Sequence, residues 1–288
     1  MIEEREIEEA VSESYYDSVV KNDIISKFLP LLRTGGYKVR DEDGKICVTQ
    51  ASVPVETPWH HVNHDAFFDC SRWHTVLFDL FSMSMPEGRA FVPSACQQCW
   101  KVVVRPKNLL GLFSLLDLEK SLGLPCKCGI EVRSYVHGLY GGYFYNHSLE
   151  QGIECYKIVR EKVNETRHLG KDVSVILKRA CTEYEKRIGA STEWGVTEEQ
   201  IYIETMVNKW FVRNDVIRSQ PDHAIATVHR KWIEWAYQNG DPTYSHFTND
   251  KPLFTPVETY HHLATAEESV RGEAFKKFSR VNHFGYDL

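Results

Sequence analysis

The chain lacks any apolar run of the roughly 18–20 residues that a bilayer-spanning helix requires. It has no Lys/Arg block of the kind that neutralises a phosphate backbone, and its formal net charge is −6, which argues against extended duplex binding while leaving room for a local basic groove. There is no P-loop, no dinucleotide-binding glycine fingerprint and no GxSxG. HExxH is absent, as is H-x-E followed by P-C-x-x-C, so the familiar hydrolytic zinc signatures are excluded. No internal repeat and no low-complexity segment is present. The opening "MIEEREIEEA" is acidic and has neither the basic start nor the apolar centre of a signal peptide. The expectation is a cytoplasmic protein with no membrane partner, in which eight cysteines serve as thiols or metal ligands rather than as four disulfides.

What is present is the balance of a globular protein: 42% hydrophobic and 26% charged residues over 288 positions. That length buries a core large enough for folding without metals or disulfides. The residues divide into an N-terminal helix, hairpin and His-rich helix (1–85), a sheet-and-helix core (86–190) and a helical C-terminal region (191–288), read as one compact unit. Glu4 to Leu32 has helical spacing, closed by Pro30 and "TGG". "YKVRDEDGKICVTQ" reads as a hairpin turning at Asp43-Gly44.

The middle third alternates most clearly. "WKVVVRP" is a strand. "NLLGLFSLLDLEKSLG" is a helix with an Asn cap and a terminal glycine. "CGIEVRSYV" and "YGGYFYN" are strands, and "SLEQGIECYKIVREKVNE" is a helix opened by Ser148 and Gln151 as a capping box. Strand–helix–strand–strand–helix indicates an α/β or α+β layering around a central mixed sheet. A split βαβ arrangement fits that order, and so do other sheets. "DVSVILKRACTEYEKRIG" reads as a further helix with Ile176, Leu177, Ala180 and Cys181 on its inner face. Two more helices follow in "TEEQIYIETMVNKWFVRN" and "DHAIATVHRKWIEWAYQNG", and a short one near Ala266–Phe278.

Two close cysteine pairs bracket the first strand and helix of the core: Cys96-x-x-Cys99 and Cys126-x-Cys128. A helix joining two parallel neighbouring strands would return the chain to the same sheet edge, so the four thiols are expected to meet there. Four thiolates around a tetrahedral ion make a closed structural zinc site; an iron–sulfur cluster uses the same ligand set, and spacing does not separate the two.

"WHHVNHDAFFDCSRWH" concentrates His60, His61, His64, Asp65, Cys70 and His74. If helix begins near His60, then His60 and His64 lie one turn apart. This segment is the candidate for a catalytic pocket or second metal through His60, His64 and His74, because imidazole changes charge near neutral pH. The loop of Tyr140, Gly141, Gly142 and Tyr143 is the candidate ligand contact, glycine allowing close backbone approach. Lys178 and Arg179 beside Cys181 could stabilise a thiolate, but the helical reading turns Cys181 inward. His223 and His229 are read as structural.

The functional expectation is a metal-binding protein, most simply an enzyme with a small-molecule pocket between the His-rich segment and the Gly/Tyr loop. The alternatives are a zinc-stabilised nucleic-acid or protein-binding module, in which Tyr and Phe of "YGGYFYN" stack bases near Lys101, Arg105, Lys107, Lys127 and Arg133, and an iron–sulfur protein.

Overall fold

The computed structural model describes residues 15–42, 44–50, 58–63, 73–84, 91–214, 220–251 and 253. Within them the protein is mixed α and β and contains two sheets. No described helix is long and apolar enough to cross a membrane.

The central unit runs β4 (Trp100–Arg105), α4 (Leu109–Leu122), β5 (Cys126–Ile130), β6 (Tyr140–Asn146), α5 (Leu149–Glu165) and β7 (Ser174–Arg179). Its strands lie in the order β5-β6-β4-β7, each neighbouring pair antiparallel. β4 and β5 are therefore parallel with β6 between them, and β6 and β7 are parallel with β4 between them. These are two interlocked split βαβ units, the ferredoxin-like topology. A further strand, β3 (Trp59–Val62), adds antiparallel to the free edge of β5.

Local chemistry accounts for the elements. β4 sits between two strands, and Val102, Val103 and Val104 are each at most 1% exposed, so it reads as a continuous apolar run rather than an alternating one. Asn108 caps α4 by accepting the Gly111 N–H at 2.9 Å, and Gly123 ends the helix at φ 62°. Ser148 caps α5 by accepting the Gln151 N–H at 3.2 Å, while the Gln151 side chain reaches back to the His147 N–H at 3.1 Å. Helices α4 and α5 cover one face of the sheet, joined there by α8 (Asp222–Gln238). Leu112, Leu116, Phe144, Val159 and Trp232 are part of that core.

The second sheet joins the hairpin β1 (Tyr37–Glu42) and β2 (Lys45–Gln50) to β8 (Phe211–Asn214), which lies parallel to β2. Its core packs Phe28 and Leu32 of α1 (Tyr15–Thr34), Leu80 and Phe81 of α2 (His74–Ser84), and Val207 of α7 (Glu198–Trp210). Helix α1 continues past Pro30 to Thr34. The last residues of the expected helix "TEEQIYIETMVNKWFVRN" are the strand β8.

The largest departure from the sequence reading is at "DVSVILKRACTEYEKRIG". It is not one helix. Val173 and Val175 enter the sheet core and Leu177 packs against it, so a period of 2 prevails over a period of 3.6. The strand ends at Arg179, and the next residue, Ala180, is 1% exposed and adopts φ 51°, a left-handed conformation unusual for a residue with a Cβ. The Ala180 N–H donates to the Cys99 carbonyl at 2.8 Å. Cys181 is the next residue, at the corner before α6 (Thr182–Ile188). The expected helix near Ala266–Phe278 lies outside the described residues.

Candidate functional site

The four cysteines of the expected metal centre are not brought together. The short helix α3 (Ser94–Gln97) and the Cys99 N–H to Cys96 carbonyl hydrogen bond at 3.2 Å form the expected tight turn. Cys96, however, packs with Phe78, Val92 and Tyr184, and its thiol faces the Tyr184 hydroxyl at 3.7 Å. Cys126 and Cys128 lie in the helix-side core. The reason is the strand order. Register places Cys126 opposite Phe144, and Phe144 opposite Val102. Cys126 is thus two strands across and three residues along from Cys99, roughly 14 Å from strand geometry. Cross-strand partners share a face, so Cys126 is on the Val102 side, whereas Cys99 interacts electrostatically with Lys101, Cys181 and Lys127 on the other. The expectation of neighbouring parallel strands fails because β6 is inserted between them. Among the described residues no group of three or more His, Cys, Asp or Glu side chains is placed to hold a metal ion.

Cys126 and Cys128 instead surround the carboxyl of Glu119, which is 0% exposed. Burial, opposed by the neighbouring thiols, pushes the Glu119 pKa well above the usual range. Burial and Glu119 push both thiols up as well. In this cluster burial disfavours the charged form of the acid and of both thiols.

The histidines are also separated. His60 lies on strand β3, not on a helix. Its Nδ1 is 2.9 Å from His229 Nε2, and the rings stack beside Trp232. Burial, then the fields of His229 and Lys120, lower the His60 pKa to about 4. His74 begins α2; burial lowers its pKa to about 4 against the pull of Glu204. His64 and Cys70 lie outside the described residues.

Strand β6 divides the Gly/Tyr loop between two faces. Tyr140 points into the helix-side core, where its hydroxyl donates to Asp241 at 2.5 Å. A side chain at Gly142 would strike Leu115 of α4 at 2.4 Å, and one at Gly141 would strike Arg105 Nη1 at 2.6 Å. Of the four, Tyr143 lines the cavity on the opposite face of the sheet.

That cavity, of about 620 Å³, lies on the face of the sheet opposite α4 and α5. Lys101 of β4, Lys127 of β5, and Tyr143 and Tyr145 of β6 form its floor, as period-2 alternation dictates. Trp59 flanks it, and α6 with the segment after β5 forms the walls. Its cations lean on rings: Lys127 is 4.7 Å from the Trp59 centroid, Lys101 5.5 Å from Tyr145, and Lys186 3.9 Å from Tyr135. Two carboxylates line the cavity among the described residues, and Arg133 engages both. Its guanidinium bonds Glu131 at 2.5 and 2.6 Å and pairs with Glu183. Glu131 also accepts the Tyr143 hydroxyl at 2.9 Å. Burial acts to raise the Glu131 pKa, but these donors outweigh it and hold it low.

Cys181 opens onto the same cavity. Lys101, 6% exposed, donates from Nζ to its Sγ at 2.7 Å. Burial works to raise the thiol pKa. The charge and hydrogen bond of Lys101, helped by Lys127 and Arg133, outweigh it, and the pKa is lowered. The cations expected to act on Cys181 are engaged elsewhere: Lys178 pairs with Glu185, and Arg179 donates to the Gln97 and Ser191 carbonyls.

Fold and site together define an α+β protein with a cationic, ring-lined pocket on the face of a ferredoxin-like sheet opposite α4 and α5. The chain matches no protein-family model, and no curated protein or solved structure resembles it significantly.

Proposed function

We propose that the protein binds a small anionic, ring-bearing molecule of nucleotide size in the sheet-face pocket. The observation that carries this reading is the composition of one cavity's floor and walls. Lys101, Lys127, Lys186 and Arg187 line the same 620 Å³ space as Trp59, Tyr143 and Tyr145. Volumes of this order suit small-molecule ligands. Ring faces stack on a planar group, and ammonium or guanidinium groups donate hydrogen bonds to a phosphate or carboxylate. A small ligand is favoured over a long nucleic-acid strand because the chain as a whole carries −6; a polyanion extending past the pocket would meet net repulsion. A metal held by Cys96, Cys99, Cys126 and Cys128 is not part of this reading, since a sheet lies between the two pairs.

The test is a set of matched ligands in a thermal-shift assay. AMP and phenyl phosphate should stabilise the protein, and adenosine and phenol should not. Lys127→Ala and Trp59→Ala should each abolish the shift. Equal shifts from charged and neutral members, or none from any, would refute the reading. A shift given only by oligonucleotides would transfer it to single-stranded nucleic acid.

A further inference from the structure

We infer that Cys181 is a nucleophile presented to the pocket ligand, and that the ligand's class is an anionic molecule carrying an electrophilic carbon with a leaving group. This deepens the pocket reading and rests on it for the ligand's charge, not for the sulfur's reactivity. Three geometric features converge on Cys181. The residue lines the cavity and is itself only partly buried. A buried ammonium, Lys101, is held 2.7 Å from the sulfur. The backbone at Ala180 is fixed at φ 51° by its hydrogen bond to Cys99, so the corner that aims Cys181 is a strained conformation retained by the surrounding fold.

The chemistry follows from a thiolate beside an ammonium, the arrangement that makes cysteine reactive near neutral pH. The groups facing the sulfur are Lys101 from β4, Lys127 from β5, Arg133 from the segment after β5, and the Cys99 thiol ahead of β4. In the reaction the thiol proton passes to solvent, favoured by the Lys101 charge, and a thiolate lone pair forms a C–S bond while the bond from that carbon to the leaving group breaks. The leaving group departs with the bonding pair, nothing is oxidised or reduced, and the Lys101 ammonium keeps its proton. Cys99 is the internal contrast. It is also partly exposed, yet burial outweighs its cationic neighbours and raises its pKa.

Iodoacetamide supplies a neutral electrophile with iodide as leaving group. Limiting reagent is added to the native full chain at neutral pH, and modified cysteines are located by peptide mass spectrometry. Cys181 should react about tenfold faster than Cys99, from its larger thiolate fraction. Lys101→Met should bring it down towards the Cys99 rate, with circular dichroism confirming the fold. A wild-type Cys181 no faster than Cys99 overturns the inference, whatever the variant does. Iodoacetate then separates the two readings. Relative to glutathione as a reference thiol, Cys181 should favour this anion over iodoacetamide, and AMP should protect it. Fast reaction with iodoacetamide but no preference for iodoacetate and no protection would leave the nucleophile standing and refute the anionic-ligand pocket.

Discussion

Lys101 and Cys181 are 80 residues apart in sequence, yet the ammonium nitrogen and the sulfur are 2.7 Å apart. β4 pairs with β7 in a register that places Lys101 opposite Lys178, and the chain turns back at Ala180 over the pocket face. The pair therefore exists only because the segment around Val175 is a strand. Ala180→Gly, which removes the Cβ that disfavours φ 51°, should keep the fold and cost little or gain up to about 1 kcal/mol. Urea denaturation measures it. A loss of more than that would mean that the corner is not strained.

Tyr140 should prove structural rather than ligand-binding. It is 2% exposed, and its hydroxyl donates to Asp241, which also accepts the Leu109 N–H at 2.7 Å and the Thr243 N–H at 2.9 Å. Tyr140→Phe removes a hydrogen bond to a charged acceptor, and should cost about 1.5–3 kcal/mol in urea denaturation. AMP binding should be unchanged.

Glycines on adjoining strands should respond differently to alanine. A Cβ at Gly129 would lie 2.0 Å from the Pro58 carbonyl oxygen, a backbone atom, whereas one at Gly141 meets the end of the flexible Arg105 side chain. Gly129→Ala should displace β3, cost upwards of about 2 kcal/mol, and weaken ligand binding through Trp59. Gly141→Ala should cost less. Equal effects in both assays would contradict the packing described for β3.

Acid should destabilise the protein through His60 and His74. Each has a folded pKa lowered from 6.5 to about 4, so the unfolded chain takes up the proton first. Their stabilising contribution is complete above pH 6.5 and is lost as pH falls towards 4. For His60, which is 5% exposed, the loss is on the order of 3 kcal/mol. Glu119 acts in the opposite sense. Its folded pKa is raised, so its contribution is present below the ordinary carboxylate range and fades as pH rises. Glu119→Met should therefore steepen the rise of stability between pH 4.5 and 6.5, and His60→Phe should flatten it. Urea midpoints across that range decide both.

Much of the central unit was legible because its signals were local: the Asn108 and Ser148 caps, Gly123, and the valine run of β4. The same signals could not supply the strand order. Cys126 and Cys99 were expected to meet on the assumption that β4 and β5 are neighbours, and the insertion of β6 depends on non-local pairing that no spacing within the segment encodes. The His60 reading failed similarly. A cluster in sequence became a β-strand residue paired with His229, a histidine 169 positions away. The pocket cations were visible as a basic scatter at Lys101, Lys127 and Arg133. Alternation on β4, β5 and β6 collects them with Tyr143 and Tyr145 on one face. Cys181 was placed inward because Val173, Ile176 and Leu177 also fit a helical period, and a short apolar run of that kind is ambiguous. Arginine and lysine flanking the cysteine in sequence misdirected the electrostatics, since the charge that matters comes from β4.

The most direct test of the pocket is to label it with an anion that carries a ring and reacts with amines. Pyridoxal 5′-phosphate condenses with a lysine amine, losing water, and borohydride fixes the product as a secondary amine. Under limiting reagent, peptide mass spectrometry should find the label first on Lys127 and Lys186, which line the cavity, AMP should suppress it, and uncharged pyridoxal should show no such selectivity. Label spread evenly over surface lysines such as Lys157 and Lys162, whose side chains are 63% and 46% exposed, and indifferent to AMP, would contradict the pocket as an anion-binding site.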